Sequence, residues 1–137
     1  MIIDSRLELA DGQTVSTSEA TTNVIDLGAK GDAVNELYLT VISDVVGNST
    51  DDSETISFKL ETEAANTFGG SQTVLFTSAA FTQAQCAAGS VLVKARIPRG
   101  LLRYVRGYWT HAGAPLTTNH TMTAFIGPDV QANDLSA

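Results

Sequence analysis

Apolar side chains in this sequence recur at every second position, and that period constrains the fold more than any other feature. Leu37, Leu39 and Val41 alternate with Tyr38, Thr40 and Ile42, and Ile56, Phe58 and Leu60 alternate with Ser57, Lys59 and Glu61. The pattern returns at Val91, Val93, Ala95 and Ile97, with Leu92, Lys94 and Arg96 between them, and at Met122, Ala124 and Ile126, with Thr121, Thr123 and Phe125 between them. Successive side chains of a strand point to opposite faces, so each segment can bury one face and offer the other to water or a partner. Shorter candidates at residues 7–9, 23–27, 72–77 and 102–110 bring the expected number of strands to about eight. The breaks between them, such as "GAKGD", "VGNSTDDSE", "NTFGGS" and "HAGAPLTTN", are rich in the residues that make turns. Only residues 78–89, "SAAFTQAQCAAG", have room for a short helix. Strands at this spacing without intervening amphipathic helices predict an all-β sandwich, jelly roll or barrel. With no internal repeat and no linker, residues 1–137 read as a single domain.

Charge is unevenly distributed. Residues 1–63 hold 13 acidic side chains against Arg6, Lys30 and Lys59, whereas residues 64–128 hold five basic side chains and no acidic one. The net charge of −7 argues against general nucleic-acid binding, which needs clustered cations on the phosphate backbone. Lys94, Arg96, Arg99, Arg103 and Arg106 have no carboxylate nearby in sequence, so they must pair across the fold, face solvent or meet an acidic partner. A single cysteine, Cys86, excludes an internal disulfide and is expected to be a buried thiol. No apolar run reaches the roughly 20 residues of a membrane helix, and the acidic N-terminal segment "MIIDSRLELADG" is unlike a secretory signal. The expectation is a soluble protein made in a cytoplasm, with no membrane partner.

Several candidate sites can be weighed on spacing. "TTNVIDLGAKGDA" sets a β-branched run before a lysine-bearing glycine turn, but Lys30 precedes Gly31 where a phosphate-binding loop needs Gly-Lys-Ser/Thr, and a strand follows where a helix should. The segment reads as a strand with Lys30 at a turn, and no cofactor is expected. His111 and His120 are the only histidines, nine positions apart and without a neighbouring carboxylate between Glu63 and Asp129, so they are expected at the surface and not as metal ligands. Asp51, Asp52 and Glu54 could offer oxygens to a hard cation, but the spacing of an EF-hand is missing and a solvated hairpin tip is preferred. No G-x-S-x-G elbow or His-x-Glu pairing marks a catalytic centre, and no catalytic residue is expected.

"PRGLLRYVRGYW" is the segment most suggestive of binding. As one strand it places Leu102, Tyr104, Arg106 and Tyr108 on one face and Arg103, Val105, Gly107 and Trp109 on the other, neither a clean core stripe. Arg, Tyr and Trp are frequent energetic anchors of interfaces, so Arg99, Arg103, Tyr104, Arg106, Tyr108 and Trp109 are expected to contribute to one. A carbohydrate- or receptor-binding β-sandwich using Tyr104, Tyr108 or Trp109 as a stacking platform is the alternative.

Taken in order, "TNVIDLG", "ELYLTV", "RIPRGLLRYVRGYW" and "TMTAFIGPDV" resemble the jelly-roll capsid cement, or decoration, proteins of short-tailed bacteriophages, typified by the Bordetella phage cement protein. The resemblance runs from the N-terminal "MIIDSRLEL" to Val130, and "WTHAGAPLTTNH" departs from it. It implies a single jelly-roll domain and a non-enzymatic virion protein on the outer capsid surface. Such a protein bridges neighbouring major capsid subunits and forms a homodimer.

Overall fold

The structure, a computed structural model, describes residues 7–28 and 37–127. Lys30 and its turn lie outside the described residues. The strands are β1 (Glu8–Val15), β2 (Glu19–Ala20), β3 (Ile25–Asp26), β4 (Tyr38–Val45), β5 (Asn48–Ser49), β6 (Thr55–Glu63), β7 (Thr73–Thr77), β8 (Phe81–Thr82), β9 (Val91–Arg96), β10 (Tyr104–Ala112), β11 (Leu116–Thr118) and β12 (His120–Gly127). The segment judged capable of a helix holds only a single 3-10 turn at Ala84–Cys86, beside β8.

Pairing is antiparallel throughout. One sheet runs β1-β12-β4-β9, and the other runs β2-β10-β6-β7, with β3 also on β10 and β8 also on β6. A small ladder joins β11 to β5. β2 and β3 lie along the same side of β10 and behave as one interrupted strand, and β7 and β8 do the same along β6. Counted that way, and leaving out β5 and β11, one sheet holds the first, eighth, third and sixth strands and the other the second, seventh, fourth and fifth. That is the strand order of a jelly roll. Both outer strands of the second sheet are broken, which shortens the edges available for unwanted pairing.

The core lies between the sheets, and the period-two pattern predicts most of its members. Leu39 and Val41 on β4, Ile56, Phe58 and Leu60 on β6, and Met122, Ala124 and Ile126 on β12 are all buried. Leu9 and Val15 are buried on β1, which runs on to Val15, well beyond the short strand expected near residues 7–9. In the 23–27 segment only Ile25 and Asp26 pair, with Ile25 buried and Val24 and Asp26 exposed. Cys86 is fully buried, and burial together with the nearby Glu54 carboxylate pushes its thiol up to about 11, which keeps it unreactive.

β10 corrects the expectation that neither of its faces is a core stripe. Val105, Gly107 and Trp109 point inward and are buried. Gly107 disguises the stripe in the sequence: a side chain there would run into the Phe58 ring and the Thr21 methyl group. Thr21 occupies that space at the break between β2 and β3. Its backbone N–H donates to the Gly107 carbonyl at 2.9 Å, and its hydroxyl accepts from the Gly107 N–H at 3.0 Å. The hydroxyl thus replaces a ladder partner where the outer strand is interrupted, and the buried Gly107 amide is paired.

Trp109 is 1% exposed and packs edge-on against Phe58 with ring centroids 4.7 Å apart. Its indole N–H donates to Gln13 Oε1 at 3.2 Å, reaching from the second sheet to β1 of the first. The same oxygen accepts from the Thr22 N–H at 3.0 Å, and the Gln13 amide nitrogen donates to the Ala20 carbonyl at 2.9 Å. One glutamine therefore fixes the β1–β2 turn region and satisfies the only polar atom of the largest core side chain.

A candidate interface on the outer face of β10 and β6

The ladder between β6 and β10 sets the outer face. Tyr104 lies opposite Glu63, Arg106 opposite Glu61, and Tyr108 opposite Lys59. Directly opposed side chains on one face are close neighbours, and here each pair joins an aromatic or cationic group to a charged one. Arg106 Nε donates to Glu61 Oε2 at 2.9 Å, and Lys59 Nζ stands 3.5 Å from Glu61 Oε1. The Arg106 guanidinium also lies 4.4 Å from the centre of the Phe68 ring and 5.7 Å from that of Tyr108. Phe68, in the β6–β7 loop with φ of 46°, therefore caps the Arg106–Glu61 pair and leaves the Glu61 side chain 2% exposed. Arg106 is fixed in place as part of the fold.

Arg103 belongs to a different environment. It lies just before β10, is exposed, and holds Asp26 on β3 through two hydrogen bonds of 2.9 and 3.1 Å. Arg103, with the Gly28 N–H, holds the Asp26 carboxyl below its ordinary 3.8, and Asp26 raises Arg103 in turn. The guanidinium also lies 5.0 Å from the Tyr104 ring centre, and Lys59 lies 5.0 Å from that of Tyr108. Arg99 is exposed in the β9–β10 connection. The structure thus brings Arg103, Tyr104, Arg106 and Tyr108 together along one face. It removes Trp109, which is a core residue and offers nothing to a partner. Glu63 on the same face is 7% exposed, and its Oε2 has no hydrogen-bond partner.

A second polar cluster sits where β5, β6, β12 and the β8 turn meet, and two expectations fail there. His120 is 1% exposed instead of lying at the surface, and Glu54 is 1% exposed instead of standing at a solvated hairpin tip. His120 Nδ1 accepts the Gly47 N–H at 2.8 Å, so a neutral ring carries its proton on Nε2, which faces Glu54 Oε1 at 3.5 Å. Burial, more than any other influence, lowers the His120 pKa from its ordinary 6.5; His111 acts in the same direction and Glu54 opposes it. Ser49 Oγ donates a short hydrogen bond to Glu54 Oε2. His111 on β10 is half-buried, with Nε2 unpartnered. Asp51 and Asp52 remain exposed, as expected of a loop tip. Among the described residues no group of three His, Cys, Asp or Glu side chains is arranged to hold a metal ion.

Comparison with known protein families gives a match. The sequence profile of the Bbp16 family covers residues 9–126, from within β1 to within β12. The chain belongs to the Bbp16 family. This is a family of Bordetella phage proteins, and the match takes in both sheets and the whole β6–β10 face. No curated protein matches the chain.

Two measurements separate structural from exposed charges in this Bbp16 chain. Arg106→Ala is expected to cost about 2–3 kcal/mol in urea unfolding, less than a fully orphaned buried charge because Lys59 stays near Glu61. Arg103→Ala, at an exposed pair, should change stability little; equal losses would contradict the assignment. For His120, the folded state binds its proton less readily than the unfolded state does, so its stabilising effect is complete above 6.5 and declines as pH falls below that value. Wild-type Tm should therefore drop as pH falls below 6.5. His120→Asn keeps an acceptor for the Gly47 N–H but cannot be protonated, so its Tm should vary less in that range.

Proposed function

We propose that the chain is a structural phage protein that binds the outside of an icosahedral capsid and bridges neighbouring major capsid subunits, without enzymatic activity. The family match over residues 9–126 carries this reading. The jelly roll supports it: two sheets locked through Trp109, Phe58 and Gln13 make a rigid spacer, and the charged groups sit on defined faces. In this reading the protein is made in the host cytoplasm and ends on the virion surface, with the major capsid protein and a second copy of itself as partners. Many copies on one shell turn modest individual contacts into strong attachment through avidity.

Arg99 and Arg103 are the expected contact residues, with Tyr104 and Tyr108 beside them. Arg106 acts indirectly, by holding the face on which they stand. The carbohydrate-binding alternative loses its best platform, because Trp109 is in the core and the Tyr104 and Tyr108 rings already have Arg103 and Lys59 as neighbours. Co-sedimentation with undecorated phage heads tests the proposal. The chain should pellet with the heads at low salt, and Arg99→Ala combined with Arg103→Ala should reduce binding while leaving unfolding unchanged. Complete absence of the chain from the pellet at every salt concentration would overturn it.

A further inference from the structure

The connection from β4 to β5 consists of Val46 and Gly47, and a histidine ring holds it down. The Gly47 N–H donates to His120 Nδ1 at 2.8 Å, and both residues are buried. Contact is so close that a Cβ on Gly47 would meet the Thr118 carbonyl oxygen, the His120 backbone nitrogen and His120 Cδ2 at 2.7, 2.8 and 2.9 Å. β5, which follows, is held by little else. Its two residues pair with β11, the Thr117 hydroxyl donates to the Asn48 carbonyl at 3.1 Å, and Ser49 Oγ donates to Glu54 Oε2. Around them Val45, Val46, Asn48 and Thr50 are exposed.

The tie works for only one state of the ring. Nδ1 can accept from Gly47 only while it carries no proton, which leaves the hydrogen of the neutral ring on Nε2. Nε2 is buried and without a hydrogen-bond partner among the described residues, 3.5 Å from Glu54 Oε1. An imidazolium has a donor at both positions, so its Nδ1–H would face the Gly47 N–H, donor against donor, where the close packing leaves neither room to turn aside. Glu54 favours the charged ring and so opposes burial, whereas His111 on β10 acts with burial. β1 sets only the apolar Val15 opposite His120. Cys86, also near Glu54, keeps its proton, its thiol being pushed up to about 11. Charging the ring therefore gains a partner at Nε2 and loses one at Nδ1, and Gly47 is the residue that must move away.

We infer that His120 is an acid-sensitive latch: when Nδ1 takes up a proton, the 46–49 segment lifts from β12 and the β5–β11 ladder opens, while the two main sheets stay paired. In the lifted form the ring meets water and titrates near its ordinary 6.5. Each pH unit below that value then favours the open form by up to about tenfold, until the closed form takes up the proton as well. β4 itself stays held between β12 and β9. Opening uncovers Ser49, Glu54 and His120, and it withdraws Val46 from the depression that it lines with Thr82, Ala84 and Ala87. The latch lies at the Ala112 end of β10, whereas Arg103 stands before the other end, so the Arg103–Asp26 pair is left in place. Nothing in the latch depends on the capsid reading.

Amide hydrogen exchange of the purified chain, followed by NMR and expressed at each pH as protection relative to the unstructured rate, tests the latch. At neutral pH, Gly47 and the amides of the β5–β11 ladder should be protected much less than those of the β6–β10 ladder, because they open without it. Their protection should fall about tenfold as the pH is taken from one unit above 6.5 to one unit below it. His120→Asn, which keeps an acceptor for Gly47 but cannot be protonated, should abolish that fall. A proton–nitrogen correlation spectrum of the wild-type imidazole, which needs no variant to fold, should show Nδ1 as the unprotonated nitrogen at neutral pH. Protection of Gly47 equal to that of the β6–β10 ladder would overturn the inference, since the segment would then open only by global unfolding. Wild-type protection that ignores pH, an equal fall in His120→Asn, or a neutral ring protonated at Nδ1 would each overturn it as well.

Discussion

The antiparallel ladder between β6 and β10 is the interaction on which the rest of the structure depends. Each of these strands is nine residues long, and they pair along their full length. That one register aligns the two faces at once. Inward, it sets Phe58 against Trp109 and leaves room at Gly107 for Thr21. Outward, it sets Arg106 against Glu61 under Phe68. A slip of β10 by one residue would exchange its faces, turning Arg106 into the core away from Glu61 and exposing Trp109. The hydrophobic core therefore specifies the charged surface, and the buried ion pair in turn penalises any other register. The interrupted strands on either side, β2 with β3 and β7 with β8, can only add to this central pair.

That register also explains what the sequence reveals and what it hides. Alternation in residues 37–42, 56–61, 91–97 and 121–126 identifies β4, β6, β9 and β12, because a half-buried strand leaves a period-two trace in side-chain chemistry. In residues 102–110 the trace is broken by Gly107, whose place in the stripe is filled by atoms of Thr21 and Phe58 from other strands. Sequence spacing contains no information about those neighbours, so Trp109 looks like a surface anchor when it is the centre of the core. The same reasoning applies to Arg103 and Arg106. They are three residues apart and chemically identical, but one meets the exposed Asp26 and the other the buried Glu61.

The cluster around Glu54 and His120 is harder still to read in advance. "GNSTDDSE" looks like a polar loop, and no local property distinguishes Glu54 from Asp52. What separates them is the start of β6, which turns Glu54 inward toward Ser49, Gln83 and His120 from three other parts of the chain. The histidine is held there by a backbone donor at Gly47, a position where a Cβ would meet the Thr118 carbonyl and the His120 N–H at 2.7 and 2.8 Å. A buried carboxylate and a buried neutral imidazole 3.5 Å apart are thus a product of topology. The charge asymmetry along the chain was the one legible hint, since it requires acids and bases to meet across the fold or across an interface.

The proposed attachment draws on charge, rigidity and family together. The arginines that the fold consumes, such as Arg106, and those that it leaves exposed, such as Arg99 and Arg103, lie within one short segment. A surface built in this way has its shape fixed before any partner arrives, which limits the entropy lost on binding. The most direct measurement is an electron cryomicroscopy reconstruction of phage heads incubated with the purified chain. The account predicts jelly-roll density on the outer surface, spanning two adjacent major capsid subunits, with the β9–β10 connection against the shell. Heads without added density, or density confined to the interior, would contradict it.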